Sequence, residues 1–362
     1  MKINRILNSY KNLKILITGT TGFKGSWLTK ILLRSGAKIH GVGLKPKKDQ
    51  KLFKLFEIEK KINQSFFDIT NFSILNNFIK KIKPDLIFHL AAQPLISSAY
   101  TNPIETIKTN IIGGSNILES VRINKLKNLI FITSDKCYLN NDQGKSFNEF
   151  DALGGNEVYS ASKASQEILF RAYLKTYYDF NKIKFATTRS GNIIGGGDFN
   201  ENRIVPDIIR SIFKNEKLFI RNLNSVRPWL YILEPLIGYI ILGEKILNDK
   251  INKDIYPSWN FGPTKQNLVN VKKIIKIFHS FRSENNSKIK FKKPKHLKSL
   301  YNEQKFLSLD ISKSRRELNW SPKLGIEETC KYTFEWYERY FSNRKVDMFS
   351  EDQIETYVNL WK

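Results

Sequence analysis

The sequence predicts an α/β fold built on a doubly wound parallel sheet, and three observations support that prediction. A short apolar strand at 14–18 stops abruptly at the glycine-rich segment 19–25. Apolar residues then recur at helical spacing, and a second apolar run follows at 39–42. Two further apolar runs, 85–90 and 128–133, also end in small or polar residues. Strand, turn, helix and strand in this order are typical of a parallel sheet with crossover helices.

The glycine-rich turn has the spacing GxxGxxG, with Gly19, Gly22 and Gly25 ahead of the predicted helix. A diphosphate must approach bare backbone N–H groups at a helix N-terminus, where Cβ atoms would obstruct it and the helix dipole favours negative charge. The motif alone is weak, but its place between a strand and a helix favours dinucleotide binding. Thr21 and Phe23 lie in the same turn and are predicted to contact the dinucleotide.

The end of the second strand leaves the choice between NAD and NADP open. Dinucleotide enzymes usually place an acidic residue there on the adenine ribose, whereas this chain has Gly-Val-Gly-Leu-Lys at 41–45. Lys45, Lys47 and Lys48 can meet a 2′-phosphate, but in a chain this rich in lysine a solvated loop explains them equally well. NAD is the expected cofactor, and NADP is not excluded.

Two more strand ends are predicted to face the cofactor. The run at 64–67 ends in an acid, at the edge of a doubly wound sheet where adenine binds. The run at 85–90 leads into small residues that let the backbone lie against the diphosphate and the nicotinamide ribose. His89 sits on this apolar strand and is predicted to be a packed core histidine. The predicted cofactor contacts here are Asp68, Ile69, Leu90, Ala91 and Ala92.

The C-terminal end of the strand at 128–133 concentrates chemically active residues. Open α/β sheets place their ligand crevice at such strand ends. Ser134, Asp135 and Lys136 follow this strand directly and put an acid and an amine side by side. An adjacent acid and base can address two neighbouring carbons of one substrate, which is what an elimination requires.

Tyr159 and Lys163 form a second reactive pair. They are four residues apart on a helix predicted over 159–173, so they share a helix face. With the positive charge of a nicotinamide nearby, the lysine is expected to lower the pKa of the tyrosine toward neutrality, so that the phenol can act as a base. This pair predicts oxidation of an alcohol.

The formal charge of +26, from 60 basic and 34 acidic residues, raises the question of a polyanion partner. The lysines are spread along the whole chain, and no nucleic-acid-binding motif accompanies them. Neither nucleic acid nor a membrane surface is therefore expected as a partner. The charge is expected to steer an anionic substrate toward the site.

The numbers of cysteines and histidines indicate which metal and disulfide chemistry to expect, and the apolar stretches indicate the cellular compartment. Two cysteines, Cys137 and Cys330, and four histidines argue against a disulfide framework or a zinc site. The segment 1–13 lacks an apolar core of signal-peptide length, and the apolar stretch 236–242 is far shorter than a membrane span. A soluble cytoplasmic protein without a metal is expected.

These features together resemble the extended short-chain dehydrogenase/reductase family of nucleotide-sugar enzymes, over nearly the whole chain. Within that family the motifs are most similar to those of the 4,6-dehydratases that act on CDP-glucose. The segments that carry the resemblance are 18–27, 89–95, 134–138, 191–198 and 226–229.

The resemblance implies a Rossmann-type fold and a dehydration without net oxidation, with bound NAD. Tyr159 would take the proton of the glucose 4-hydroxyl while hydride leaves C4, and Lys163 would hold the ribose. Lys136 occupies the position of the base at C5, which is a glutamate in the dTDP-glucose relatives. Asp135 occupies that of the acid that protonates the departing 6-hydroxyl. Ser134 stands where threonine is usual and keeps the hydroxyl that can bond the 4-oxygen.

The substrate side begins beyond residue 190. By resemblance, Asn192 would hydrogen-bond the diphosphate of the nucleotide sugar, and Gln93 is a further predicted substrate contact. Arg203 and Arg227 are predicted to bind phosphate or nucleotide, since a guanidinium fork suits phosphate oxygens; ordinary surface arginines are the alternative. Ser97 stands where family members commonly carry an arginine, which leaves a substrate contact by this loop in doubt.

The predicted domains are a Rossmann domain for NAD at 1–190 and a smaller C-terminal α/β domain at 191–362, mainly for the nucleotide sugar. The region 228–262 is expected to return to the first domain. The helices carrying 104–121 and 159–173 can form the seam of a homodimer or a higher homo-oligomer, as in the family, but their apolar faces can equally contact the sheet.

Two other hypotheses remain from the sequence. One is another NAD-dependent nucleotide-sugar 4,6-dehydratase or epimerase of the same fold. An epimerase has no evident use for the acid and base at Asp135 and Lys136, so the sequence disfavours it. The other, favoured least, is a protein that binds NAD and a polyanion without catalysis.

Overall fold

The computed structural model describes residues 2–48, 50–178, 184–250, 257–281, 291–292 and 304–361. The strands are β1 Lys14–Thr18, β2 Lys38–Gly43, β3 Asn63–Phe66, β4 Leu86–His89, β5 Asn128–Ile132, β6 Ser146–Phe147, β7 Lys184–Ser190, β8 Ile193–Ile194, β9 Leu218–Phe219, β10 Val226–Arg227, β11 Leu230–Tyr231, β12 Ser258–Phe261, β13 Val269–Asn270, β14 Phe291–Lys292 and β15 Ser308–Leu309.

The helices alternate with these strands over most of the chain. The α-helices are α1 Ile3–Asn8, α2 Phe23–Leu33, α3 Leu52–Leu55, α4 Ile58–Lys61, α5 Phe72–Ile82, α6 Ile96–Thr101, α7 Pro103–Ile107, α8 Gly113–Ile123, α9 Val158–Tyr177, α10 Ile204–Lys214, α11 Leu233–Leu247, α12 Val271–Ser280, α13 Ser312–Leu318, α14 Ile326–Phe341 and α15 Val346–Asn359. A π-helix covers Lys108–Ile112, and short 3₁₀-helices cover Asp135–Cys137 and Lys265–Asn267.

Seven strands form one parallel sheet in the order β12-β7-β5-β4-β1-β2-β3. From β1 the chain winds outward through β2 and β3, then crosses to β4 and winds outward the other way. The strand order therefore reverses between β1 and β4, which is where open α/β sheets bind their ligands. This arrangement confirms the predicted doubly wound, Rossmann-type sheet.

Helices cover both faces of the sheet because successive strand residues point to opposite sides. Ile15 and Ile17 of β1 belong to the core cluster that includes Trp27 of α2. Leu16, between them, belongs to the cluster that includes Leu75 of α5. All five of these side chains are fully buried, as expected for a parallel sheet between two helical layers.

The second half of the chain contributes to the same sheet. β12 pairs in parallel with β7, with Ser258 beside Thr187 and Phe261 beside Ser190. The apolar stretch 236–242 lies in α11, whose residues are buried against the sheet strands in one core cluster. We keep 1–190 and 191–362 as the proposed division of the chain, with 228–262 supplying β12 and α11 to the cofactor half.

Short strands and helices of the second half surround the C-terminal edge of the sheet. β8 pairs with β11, β9 with β14, and β10 with β13. Helix α15 is tied back to α2 by the buried Lys30, whose Nζ lies 2.6 Å from carboxylate oxygens of both Asp347 and Glu351. Cys137 and Cys330 are buried free thiols.

Candidate active site

A cavity of about 660 Å³ opens at the C-terminal ends of β1, β4, β5 and β7. The structure brings every residue predicted for catalysis, cofactor or substrate into its lining, although the roles of these residues stay predictions. They are Gly19, Thr21, Gly22, Phe23, Gly25, Asp68, Ile69, Leu90, Ala91, Ala92, Gln93, Ser134, Asp135, Lys136, Tyr159, Lys163, Asn192, Arg203 and Arg227.

The glycine-rich turn connects β1 to α2 and packs against the end of β4, at the point where the strand order reverses. Gly19 has φ +80°, and a Cβ there would lie 2.8 Å from the backbone nitrogen of Ala91. A Cβ on Gly25 would lie 2.0 Å from the carbonyl oxygen of Gly19. Gly22 is the N-cap of α2, so the helix N-terminus faces the cavity across bare backbone. This cradle fits the diphosphate of a dinucleotide.

The end of the cavity that is predicted to hold adenine is formed by the ends of β2 and β3. Asp68 accepts a hydrogen bond from the backbone nitrogen of Thr70 (2.8 Å), which fixes its carboxylate at the cavity edge. Lys47 also lines this end, together with Leu44.

His89 of β4 lies in the core as predicted. Its ring contacts Thr18 Oγ1 through Nδ1 at 2.8 Å, and burial lowers its pKa to about 3.

Ser134 caps the short helix that carries the acid and the amine. Its Oγ accepts from the backbone nitrogen of Lys136 (3.2 Å) and donates to Asp135 Oδ1 (3.0 Å). Asp135 Oδ2 is buried without a hydrogen-bond partner among the described residues. Burial raises the pKa of Asp135, against the opposing positive charges of Lys136, Lys24 and Arg227. A buried carboxyl with a raised pKa is suited to donate a proton.

Tyr159 is held at the start of α9 by the N-cap residue Glu157, whose carboxylate accepts from the backbone nitrogens of Tyr159 (2.6 Å) and Ser160 (2.8 Å). Burial raises the pKa of Tyr159 to about 12, and a hydrogen bond with Ser134 acts in the opposite direction. The expected lowering toward neutrality includes the positive charge of a bound nicotinamide and stays a prediction. Lys163 Nζ donates to Gln166 Oε1 (2.9 Å), away from the phenol.

Lys163 has an unusual environment for an amine. Burial, followed by the charge of Lys24, lowers its pKa to about 7. A lysine whose ammonium form is this weakly favoured gives little stabilisation to a phenolate unless further charge enters the site. The sequence prediction therefore depends on the positive nicotinamide ring more than on the lysine.

Lys24 is a cavity residue that the sequence reasoning missed. It lies inside the glycine-rich turn, where only the glycine spacing was considered. Its Nζ donates to Ser190 Oγ at the end of β7 (2.9 Å). Burial lowers its pKa to about 8, opposed by the charge of Asp135. The Lys24 amine of this turn is therefore close enough to the predicted acid, Asp135, for the two charges to interact.

Gln304 is a second missed residue. Its Oε1 accepts from Lys136 Nζ (3.3 Å), and its backbone oxygen accepts from Arg227 Nη2 (2.6 Å). Because Gln304 is 168 residues from Lys136 in sequence, no local pattern could have linked them.

The predicted substrate residues differ in how firmly the protein already holds them. Arg227 is buried, and its Nη1 donates to the carbonyl oxygen of Val226 (2.9 Å). Arg203 is half-buried and pairs with Asp198 Oδ2 at 3.0 Å. The Gln93 amide donates to Thr106 Oγ1 (2.7 Å) and to a backbone oxygen of its own loop, so it shapes that loop. Ser97 lines the cavity.

Two absences hold for the described part of the chain. No group of three His, Cys, Asp or Glu side chains there is arranged to hold a metal ion. No helix there is both long enough and apolar enough to cross a membrane.

Comparisons of the sequence and the fold with known proteins give a consistent picture. Residues 16–333 match the family described as GDP-mannose 4,6 dehydratase. The CDP-glucose 4,6-dehydratase of Salmonella typhimurium is 33% identical over 359 residues, covering 97% of this chain and 98% of that protein. The dTDP-glucose 4,6-dehydratase of Haemophilus influenzae is 24% identical and covers 90% of this chain and 98% of its own length.

Solved structures share the fold. The dTDP-glucose 4,6-dehydratase of Bacillus anthracis in complex with NAD superposes with a TM-score of 0.75 at 22% identity, over 90% of this chain and 97% of that one. The UDP-glucose 4-epimerase of Thermotoga maritima with UDP-glucose gives a TM-score of 0.75 at 20% identity, over 91% and 99%.

Proposed function

The chain belongs to the GDP-mannose 4,6-dehydratase family, and from that premise we propose that it converts CDP-glucose to CDP-4-keto-6-deoxyglucose and water. It is an NAD-dependent nucleotide-sugar 4,6-dehydratase. The observation that carries the proposal is the position of Asp135 and Lys136, adjacent at the end of β5 and in one cavity with Tyr159 and Lys163. Oxidation needs only the second pair, whereas loss of water also needs the first.

When bound in the cavity, NAD would supply a hydride acceptor for C4 of glucose and, once reduced, a hydride donor for C6, so the sugar would undergo no net oxidation. Tyr159 takes the proton of the 4-hydroxyl, with the Ser134 hydroxyl beside it. Because burial raises the pKa of Tyr159 to about 12, the phenol needs nearby positive charge to act as a base. Lys163, one helical turn along α9, supplies an amine on the same helix face.

Lys136 and Asp135 perform the elimination. The 4-keto group acidifies the proton at C5, which Lys136 removes, while Asp135 donates a proton to the 6-hydroxyl, which leaves as water. Lys136 then returns a proton to C5 as hydride arrives at C6. Burial raises the pKa of Asp135, which favours the protonated carboxyl that this donation requires. At the end of these steps Tyr159 has gained one proton and Asp135 has lost one, so transfer of one proton from Tyr159 to Asp135, directly or through solvent, restores the starting state.

The nucleotide assignment is supported by similarity to the Salmonella typhimurium protein over nearly the whole of both chains. The same chemistry on another nucleotide is the second candidate, since dTDP-glucose 4,6-dehydratases are also relatives. An epimerase has less support because it leaves Asp135 and Lys136 without a task. Polyanion binding without catalysis has the least support, since both reactive pairs line the cavity.

The test is incubation of the purified protein and NAD with CDP-, dTDP- and UDP-glucose and with GDP-mannose. A 4-keto-6-deoxy product is followed by its absorbance in alkali. Product from CDP-glucose alone is expected. Product from another nucleotide only would replace the substrate and keep the chemistry, whereas inversion at C4 without loss of water would replace the reaction.

We also propose a homodimer, through an exposed apolar face on α9 and on the continuous helical segment formed by α7, the π-helix and α8. Ile104, Ile112 and Ile168 are about half exposed or more, at 61, 49 and 54%. Ile117 and Phe170 on the same helices are buried in the core cluster against the sheet. Separate residues thus serve the sheet and the free face. Light scattering of Ile104→Glu with Ile168→Glu is expected to give monomers, while the exposed Met348→Glu, on α15, keeps the dimer.

A cytoplasmic location completes the proposal, together with a product that feeds deoxysugar synthesis for a surface polysaccharide such as lipopolysaccharide. The support is chemical: the substrate is a nucleotide sugar and both cysteines are free thiols. Cell fractionation with detection of the native protein tests the location.

A further inference from the structure

A fully buried ion pair lies beneath the two reactive pairs. Arg189 of β7 donates from Nη2 to Glu167 Oε2 (2.8 Å) and from Nε to Glu167 Oε1 (2.9 Å). Both side chains have zero exposure. The bidentate geometry fixes the guanidinium and the carboxylate in one plane and in one relative position. A buried pair is weak evidence of stabilisation, so its role is better sought in what it positions.

The segment 133–138, which follows β5 and carries Asp135 and Lys136, is called the turn from here on. Glu167 contacts one end of this turn and Arg189 contacts the other. Thr133, the residue before Ser134, donates from Oγ1 to Glu167 Oε1 at 2.6 Å. Tyr138, two residues after Lys136, accepts from Arg189 Nη1 at 2.8 Å, and the guanidinium lies 4.9 Å from the centre of its ring. The turn is therefore pinned on both sides of Asp135 and Lys136.

The same pair is fixed to the helix that carries the other reactive residues. Glu167 follows Lys163 by four residues and Tyr159 by eight on α9, so the three lie on one side of that helix. Glu167 therefore links the turn to the helix face that carries Tyr159. On the far side, Tyr138 donates to Asn260 Oδ1 of β12 (2.7 Å), which extends the support across the sheet.

We propose that Glu167 and Arg189 are positioning residues that set the turn at C5 and C6 while α9 addresses C4. This inference rests on the proposed function. Tyr159 has its own support from Glu157, so loosening the turn displaces Lys136 and Asp135 more than the phenol. Because displacements of about 1 Å cost large factors in rate, a loosened turn slows the elimination, in which Lys136 and Asp135 move protons, more than C4 oxidation, to which the turn contributes only the Ser134 hydroxyl.

The experiment compares hydroxyl deletions that do and do not touch the turn. Tyr138→Phe and Thr133→Val remove contacts from the turn to the pair. Thr187→Val is the matched control, because Thr187 on β7 donates to the same Glu167 carboxylate (2.9 Å) without belonging to the turn. Tyr231→Phe removes a buried hydroxyl that donates to Gln353 elsewhere (3.0 Å). Melting temperature and NAD binding by protein fluorescence accompany product formation and reduced-cofactor absorbance.

For Tyr138→Phe and Thr133→Val we expect elimination slowed by about tenfold or more and C4 oxidation within about threefold, so that reduced cofactor accumulates. Thr187→Val and Tyr231→Phe keep the wild-type ratio of the two steps, and all four keep NAD affinity. If either turn variant fails to fold, the other decides the result.

Two outcomes overturn the inference in different ways. If the wild type is active and the turn variants slow both steps equally, in line with their melting temperatures and with the Thr187 control, the pair is only structural. If the wild type forms no product from any nucleotide sugar, the proposed function fails first and the inference falls with it.

Discussion

The two ends of the cavity are built in different ways. The cofactor end depends on backbone and small residues that directly follow strands β1 and β4, such as Gly19, Gly25 and Ala91. The substrate end depends on long side chains brought from distant segments: Arg203 at the start of α10, Arg227 on β10 and Gln304 near β15. The first end presents backbone N–H groups, while the second presents guanidinium groups and an amide.

This difference determines how a substitution at each end impairs binding. A backbone cradle tolerates no added atoms, so substitution there acts through exclusion and strain. A side-chain site loses one interaction at a time, so substitution there weakens binding stepwise. The reactive residues between the two ends make a third case, in which binding survives and chemistry stops. The following changes separate these three behaviours.

The largest effect is expected from Lys136→Ala. Removing the base at C5 should lower turnover by about 10²–10⁴-fold, the usual range for a general base, while partial oxidation at C4 continues. Reduced-cofactor absorbance and product formation are measured together. Lys145→Ala is the control, since Lys145 is exposed and pairs with Asp151. Full turnover by Lys136→Ala would remove this residue from the mechanism.

The next effect is expected from Gly19→Ala at the cofactor end. The added Cβ meets the backbone of Ala91 at 2.8 Å, with φ at +80°, so the cradle must shift. NAD affinity should fall by about a hundredfold, which corresponds to about 2.8 kcal/mol. Gly144→Ala has a similar φ of +70° but no atom within 4 Å of the new Cβ. It carries the strain without the clash, and fluorescence titration should show wild-type affinity; equal losses in both would point to strain alone.

A smaller effect is expected from Arg227→Gln at the substrate end. Loss of a charge-assisted contact to the nucleotide sugar should raise KM by about 10- to 150-fold with little change in kcat, since such bonds are worth about 1.5–3 kcal/mol. NAD affinity should be unchanged. Arg316→Gln, at an exposed site on α13, is the matched control. A fall in kcat at constant KM would place Arg227 in the chemistry.

The smallest effect is expected from substitutions at Lys24, which lies in the glycine-rich turn at the cofactor end and whose charge acts on Asp135. Its positive charge lowers the pKa of Asp135 against burial. An acid must be protonated to act, so activity falls as pH rises through the Asp135 pKa. Lys24→Met removes the opposing charge, raises that pKa further and should move this limb of the pH–rate profile to higher pH. Lys24→Arg should keep the limb in place. A shift to lower pH, or none, would contradict the electrostatic link.

Features built from residues that are close in sequence could be predicted, whereas those built from distant residues could not. The glycine cradle, the turn after β5 and the pair on α9 could be located from sequence because each is a local pattern at a strand or helix end. Gln304 and the Glu167–Arg189 pair could not, since their partners lie far apart in sequence and meet through burial. Lys24 stood inside a motif that was recognised, but glycine spacing does not tell where a lysine side chain reaches.

The pKa of Tyr159 shows a further limit. Sequence spacing places Lys163 on the same helix face, but it does not reveal that the amine turns to Gln166. It also does not reveal how strongly burial opposes the phenolate. Reaction chemistry could be predicted from residue types, whereas the energy of each ionisation depends on packing that only the folded chain shows.

The return of β12 to the sheet has a consequence for how the chain can be made. The edge of β7 has no partner on that side until residues 258–261 have been synthesised, because β12 is the strand that pairs there. A ribosome-bound chain must therefore carry an open strand edge while some seventy further residues emerge, a state prone to aggregation. Cutting the gene near codon 190 is expected to give insoluble material instead of an isolated cofactor-binding fragment.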